Sequence, residues 1–126
     1  MKITQTLLDS LSAQAKASPR LRMNLDLRNG PEDESQRMLN ALEPGTVLPI
    51  HRHTKTSETV VCQRGHQREI FYNNSGEVTE VFDLAPMSDC VALNIPLGRW
   101  HIESGTVILE CKDGAYEPLE PEDILM

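Results

Sequence analysis

The sequence predicts an all-β fold: a closed barrel or two-sheet jelly roll, single-domain, with a short N-terminal helix. Three observations lead there. Apolar and polar residues alternate over short runs, the period of a strand with one buried face. Eight prolines and seven glycines punctuate the chain, mostly between those runs. From residue 37 onward such runs follow one another closely, and folds of that kind remove or shorten exposed sheet edges. The 126 residues suit one domain with one core, and 39% hydrophobic with 25% charged residues fits a globular chain.

The helix is read first. Between Ile3 and Ala17, the residues Leu7, Leu8, Leu11 and Ala15 share one helical face, with Gln5, Asp9 and Ser12 opposite. Pro19 ends the pattern, so residues 1–19 should form a short amphipathic helix on the outside of the main body. Next, Leu21, Met23, Leu25 and Leu27 alternate with Arg22, Asn24, Asp26 and Arg28, a strand that ends in an acidic turn from Asn29 to Ser35.

The barrel core, residues 37–112, should hold strands at Arg37–Leu42, Thr46–His53, Glu58–Arg64, Gln67–Tyr72, Val78–Leu84, Val91–Ile95, His101–Ser104 and Val107–Cys111. Asn73-Asn74-Ser75-Gly76 is a hairpin turn between two of them. The tail, residues 113–126, ends in the proline-rich acidic stretch YEPLEPEDILM, expected to lie across the barrel or fray.

Composition excludes some partners. A formal net charge of −7 and a pI of about 5.0, with no Lys/Arg run to offset them, argue against nucleic acid. No apolar run approaches a membrane span, and the opening MKITQTLLDSLSAQ lacks a secretory core. The three cysteines, Cys62, Cys90 and Cys111, lie in apolar β-like runs and read as buried free thiols of a reducing cytoplasm.

The chemistry concentrates in GTVLPIHRHTKTSETVVCQRG, residues 45–65. His51 and His53 stand two apart, so a strand would send both imidazoles to one face, about 7 Å apart at the backbone. Glu58 falls five residues on, and the polar Thr54–Ser57 stretch permits a loop that turns its carboxylate back inward. Downstream, Pro96-Leu97-Gly98 is a tight turn, proline fixing φ and glycine accepting a positive one, with His101 at the start of the next strand. Three neutral imidazoles and one carboxylate give a divalent ion four ligands and leave positions open for water or substrate.

These residues resemble the two cupin motifs. Gly45-x5-His51-x-His53-x4-Glu58-x6-Gly65 has the spacing of the first, and Pro96-x-Gly98-x2-His101 is the centre of the second. In the second, Cys90 stands where a glycine is usual and Gly105 where an asparagine is. A shuffled sequence of this composition would match the first motif's five fixed positions roughly once in 10⁴ to 10⁵ trials. The resemblance implies a small β-barrel with one divalent metal ion (zinc, iron, manganese or nickel) on His51, His53, Glu58 and His101. From the N-terminal helix through SPRLRMNLDL, QRMLNALEPG and LECKDGAYEP, the chain is also similar to WbuC-type cupin metalloproteins, associated with bacterial O-antigen and surface-polysaccharide gene clusters.

That likeness implies a cytoplasmic enzyme acting on a sugar or nucleotide-sugar intermediate, the metal serving as Lewis acid and Glu58 as a proton carrier. A non-catalytic sugar- or metal-binding module and an iron-dependent dioxygenase are the alternatives. Arg22, Arg28, Trp100 and Tyr116 are the candidate contacts to a carbohydrate-related small molecule, although packing also accounts for Trp100 and barrel capping for Tyr116. Arg52, between the two histidines, should face away from the ion. Cys62 shares parity with Glu58 and should pack in the barrel. Cupins commonly dimerise, and a homodimer is expected here.

Overall fold

Thr4 opens the helix α1 (Gln5–Ala17): its hydroxyl accepts the Leu7 N–H at 3.2 Å, satisfying one of the donors a helix start leaves free. The computed structural model describes residues 1–125. Leu8, Leu11 and Ala15 are buried, as the spacing requires, and Arg64 reaches back to Asp9 at 2.6 Å to hold the outer side of the helix.

The strands are β1 (Arg22–Asp26), β2 (Ser35–Leu42), β3 (Ile50–His51), β4 (Glu58–Arg64), β5 (Gln67–Tyr72), β6 (Val78–Leu84), β7 (Ala92–Ile95), β8 (Trp100–Ser104), β9 (Val107–Asp113) and β10 (Ile124–Leu125). They pair antiparallel in two five-stranded sheets, β1-β2-β9-β4-β7 and β10-β3-β8-β5-β6. This is the jelly roll the alternation predicts. Strand period two gives the first sheet two unlike faces. Leu39, Ala41 and Val107 face α1 and form a buried cluster with Leu8, Leu11 and Ala15. A second cluster holds Leu42, Val60, Phe71, Ile95 and Ile108, with residues from both sheets.

Three expectations change. The strand expected over Thr46–His53 shrinks to Ile50–His51, because Pro49 has no N–H for a ladder and only β8 and β10 pair with it. The sheets also extend beyond residues 37–112: β1 lies before them, and β10 of the tail pairs Ile124 with His51. The tail is thus laced onto the ligand-bearing strand. Of the three free cysteines only Cys62 is buried; Cys90 and Cys111 are half-buried. Among the described residues, no helix is long and apolar enough to cross a membrane.

Candidate metal centre

His51 and His101 are direct partners across β3 and β8, and Phe71 of β5 is the next partner in the same row. The pairing sets the imidazoles of His51 and His101 with centroids 4.6 Å apart, and the Phe71 ring stacks behind His101 at 5.9 Å. His53 lies past the end of β3, with its centroid 5.1 Å from that of His51. Its carbonyl accepts the Gly98 N–H at 2.7 Å, so the Pro96–Gly98 turn is tied to the histidine stretch. Gly98 has φ +80°, the left-handed conformation expected of that turn.

Glu58 comes from the opposite sheet. The loop before it is anchored where Asp113 accepts the Ser57 N–H at 2.7 Å and the Ser57 hydroxyl at 3.0 Å. That anchor resets the register, and β4 begins with the carboxylate turned into the barrel. One nitrogen from each of His51, His53 and His101 falls within 4.8 Å of the others. Glu58 joins through His101, its Oε1 lying 3.1 Å from Nε2. That contact lacks hydrogen-bond alignment, and Glu58 Oε1 is buried with no hydrogen-bond partner. Without a metal the two groups form an ion pair; with the His101 proton displaced, the set of three imidazoles and one carboxylate fits a divalent ion.

The protonation states agree. His51 Nδ1 stands 3.0 Å from the Pro49 carbonyl, which can only accept, so Nδ1 carries the hydrogen and Nε2 is left for an ion. Burial, then the charge of His101, keeps His51 below its ordinary pKa. Burial, then Lys112, lowers His53 to about 4. Burial opposes the cation on His101, but Glu58 and Glu69 outweigh it and raise the ring to about 9. Burial likewise disfavours the Glu58 carboxylate, yet His101 and Lys112 hold its pKa at about 2. A metal ion would therefore meet two neutral imidazoles and one carboxylate, and would displace one proton.

The group borders a cavity of about 430 Å³ whose walls include His51, His53, Glu58, Arg22, Gln36, Glu103, Glu110 and Lys112. Arg22 contributes a buried Nε with no hydrogen-bond partner. Tyr116 lines the cavity and is 59% exposed. Arg28 lies instead in a neighbouring groove, paired with Asp26 at 2.7 Å and 5.7 Å from the Tyr116 ring. Trp100 is buried, its indole N–H donating to Asn74 at 2.9 Å, with the Arg52 guanidinium 4.4 Å over the ring. It is a packing residue, and Arg52 turns to it and to Asp123 rather than to the histidines. Cys62 is buried, and burial pushes its thiol up.

Sequence reading missed Glu69, Glu103, Glu110 and Lys112. A signal existed: Gln67, Glu69 and Phe71 share strand parity, so an inward Phe71 implies an inward Glu69.

The fold and this site can now be set beside known proteins. KdgF from a Halomonas species superposes with a TM-score of 0.61 at 13% identity, covering 79% of this chain and 84% of that one. A cupin 2 domain-containing protein from Halorhodospira halophila gives 0.61 at 18% identity, over 79% and 68%. The capsular polysaccharide assembling protein CapF from Staphylococcus aureus gives 0.61 at 18% identity, over 86% of this chain but only 32% of CapF. These likenesses show the fold, a cupin jelly roll. No curated protein matches the sequence. The helix, β1 to β6 and the first histidine pair all fall within residues 3–84, which match a family described as a domain of unknown function (DUF6016), and the chain belongs to that family.

Proposed function

We propose that this chain is a metal-dependent cupin of the WbuC type, with one divalent ion on His51, His53, Glu58 and His101. Its substrate would be a sugar or nucleotide-sugar intermediate of bacterial surface-polysaccharide synthesis in the cytoplasm. The observation that carries this reading is the meeting of three histidine nitrogens within 4.8 Å, with Glu58 3.1 Å from one of them. The motif spacing supports the ligands, and the whole-length resemblance supports the pathway. CapF, a capsular polysaccharide assembling protein with the same fold, is consistent with it.

When bound, such an ion polarises a substrate oxygen or lowers the pKa of a water molecule. The chain supplies the rest. Arg22 and Lys112 put positive charge in the cavity wall, where an anionic sugar derivative would need it. Phe71 backs His101 and keeps that end of the barrel dry. Glu58 stays ionised at neutral pH and is placed to accept a proton from a bound hydroxyl. Tyr116 stands at the exposed rim, in position to contact the ligand. The homodimer belongs to the same proposal: β6 is an open sheet edge carrying exposed Val78 and Val81.

Elemental analysis of protein purified without chelators or added metal tests the ligands. Wild type should carry a divalent metal, and His51→Ala should lose the ion held by the histidine group. Unchanged metal content in His51→Ala and His101→Ala would refute the assignment. Turnover of candidate sugars without oxygen, with zinc or manganese, separates the Lewis-acid reading from an iron dioxygenase. Binding without turnover under any metal would leave a sugar-binding module.

A further inference from the structure

Besides Glu58 Oε1 and Arg22 Nε, four further polar atoms of the barrel are buried and have no hydrogen-bond partner: Nδ1 of His101, Oε2 of Glu69, Oε2 of Glu103 and Oε1 of Gln67. None belongs to the histidine group already described, which uses the other nitrogen of His101. Glu69 and Gln67 are fully buried, and His101 is 1% exposed. Glu69 and Glu103 are direct partners across β5 and β8, an arrangement that opposes two like charges. Gln67 donates its amide N–H to Glu69 Oε1 at 3.3 Å, which leaves its own carbonyl oxygen unused.

Buried carboxylates in native proteins are paired, protonated or bound to a cation. Pairing accounts for them only in part: burial and the neighbouring Glu110 and Glu69 carboxyl groups keep Glu103 protonated in the metal-free chain, and Glu69 has only the charge of His101 beside it. His101 Nδ1 and Glu69 Oε2 are 3.8 Å apart, too far for a hydrogen bond. Two ligands each about 2.1 Å from one ion stand roughly 3–4 Å apart, so the same separation suits a shared cation. One ligand atom each from Glu69, His101 and Glu103 falls within 4.8 Å of the others. Glu103 also lines the cavity, which gives an ion a way in.

We propose that Glu69, Glu103 and Nδ1 of His101 form a second cation site, inward of the first, for a divalent ion such as manganese, with the Gln67 amide oxygen as a neighbouring donor. Two carboxylates would balance the 2+ charge once Glu103 gives up the proton that burial and Glu110 hold on it, and carboxylate oxygens with one imidazole suit that metal class. With both sites filled, His101 would offer one nitrogen to each ion, and both of its ring protons would pass to solvent. The site adds to the reading above and shares only His101 with it.

The test counts Mn²⁺. Full-length protein is stripped with chelator, dialysed against Mn²⁺, analysed for metal and examined by electron paramagnetic resonance. Wild type should hold two ions per chain with a spin-coupled spectrum. Glu103→Gln and Glu69→Gln should each hold one, with the spectrum of an isolated ion. Glu103→Gln removes one member of a like-charge pair, so its melting temperature should not fall. His51→Ala should also drop to one ion, retained inside. A single ion in wild type, unchanged in Glu103→Gln, would overturn the proposal and leave the carboxyl groups sharing a proton. Loading unaffected by His51→Ala would instead sink the outer ligand set, while Glu103→Gln still decides the inner one.

Discussion

The sheet β1-β2-β9-β4-β7 has one face toward α1 and one toward the barrel, and the two faces are built differently. Toward the helix stand Leu39, Ala41 and Val107, each fully buried among leucines. Toward the other sheet, the same strands present Gln36, Glu58, Glu110 and Lys112 to a cavity. Strand alternation assigns the two duties to neighbouring residues, so packing and chemistry share a backbone but few side chains. The lesson is that α1 lets the barrel keep a polar interior, because much of the dry core lies outside it.

Three substitutions and one proton count break or sharpen that contrast. Leu39→Ala, on the helix side, should destabilise the fold by about 2–5 kcal/mol in denaturant unfolding and leave metal content per folded chain unchanged. His101→Ala, on the barrel side, should strike metal content directly. Metal affinity should fall by about a hundredfold or more, roughly 2.7 kcal/mol, and the metal-free protein should also unfold more easily at pH 7, because the buried Glu58 and Glu69 lose the cation between them. Thr4→Ala removes the cap that holds the Leu7 N–H and should cost about 1 kcal/mol by thermal melting, again without touching metal content.

The smallest effect is a proton count. His101 is raised to about 9 in the metal-free chain, so at pH 7 it carries a proton that the ion must displace. His53, at about 4, carries none to lose. Metal uptake should thus release about one proton per ion at the outer site at pH 7, and progressively less above pH 9. Affinity should rise with pH up to that point and then level. Calorimetry in buffers of different ionisation enthalpy reads the number; no release at pH 7 would mean that His101 is already neutral.

Local chemistry explains what the sequence revealed. β4, β5 and β6 have the bounds read from the chain, since Gly65 and the Asn73–Gly76 turn fix their ends, and β4 and β5 alternate buried with more exposed residues. The histidines and Glu58 were legible because their spacing fits a strand and a loop. β10 was not: Ile124 and Leu125 follow an acidic, proline-rich stretch, and only β3 makes a strand of them. Nor was Glu103, since a glutamate in a short strand reads as solvent-facing until the partner sheet shows which parity points inward; Glu69 could have been found only through its shared parity with Phe71. Arg28 and Trp100 were set aside by contacts no spacing reveals, an ion pair with Asp26 and an indole bond to Asn74.

The pairing of Ile124 with His51 has a practical consequence for anyone handling the protein. β3 is two residues long and is flanked by β8 on one side and β10 on the other. An affinity tag fused beyond Leu125, or a deletion that trims Ile124 and Leu125, would pull at the strand that aims an imidazole. Loading experiments are best run with purification handles at the opposite end of the chain.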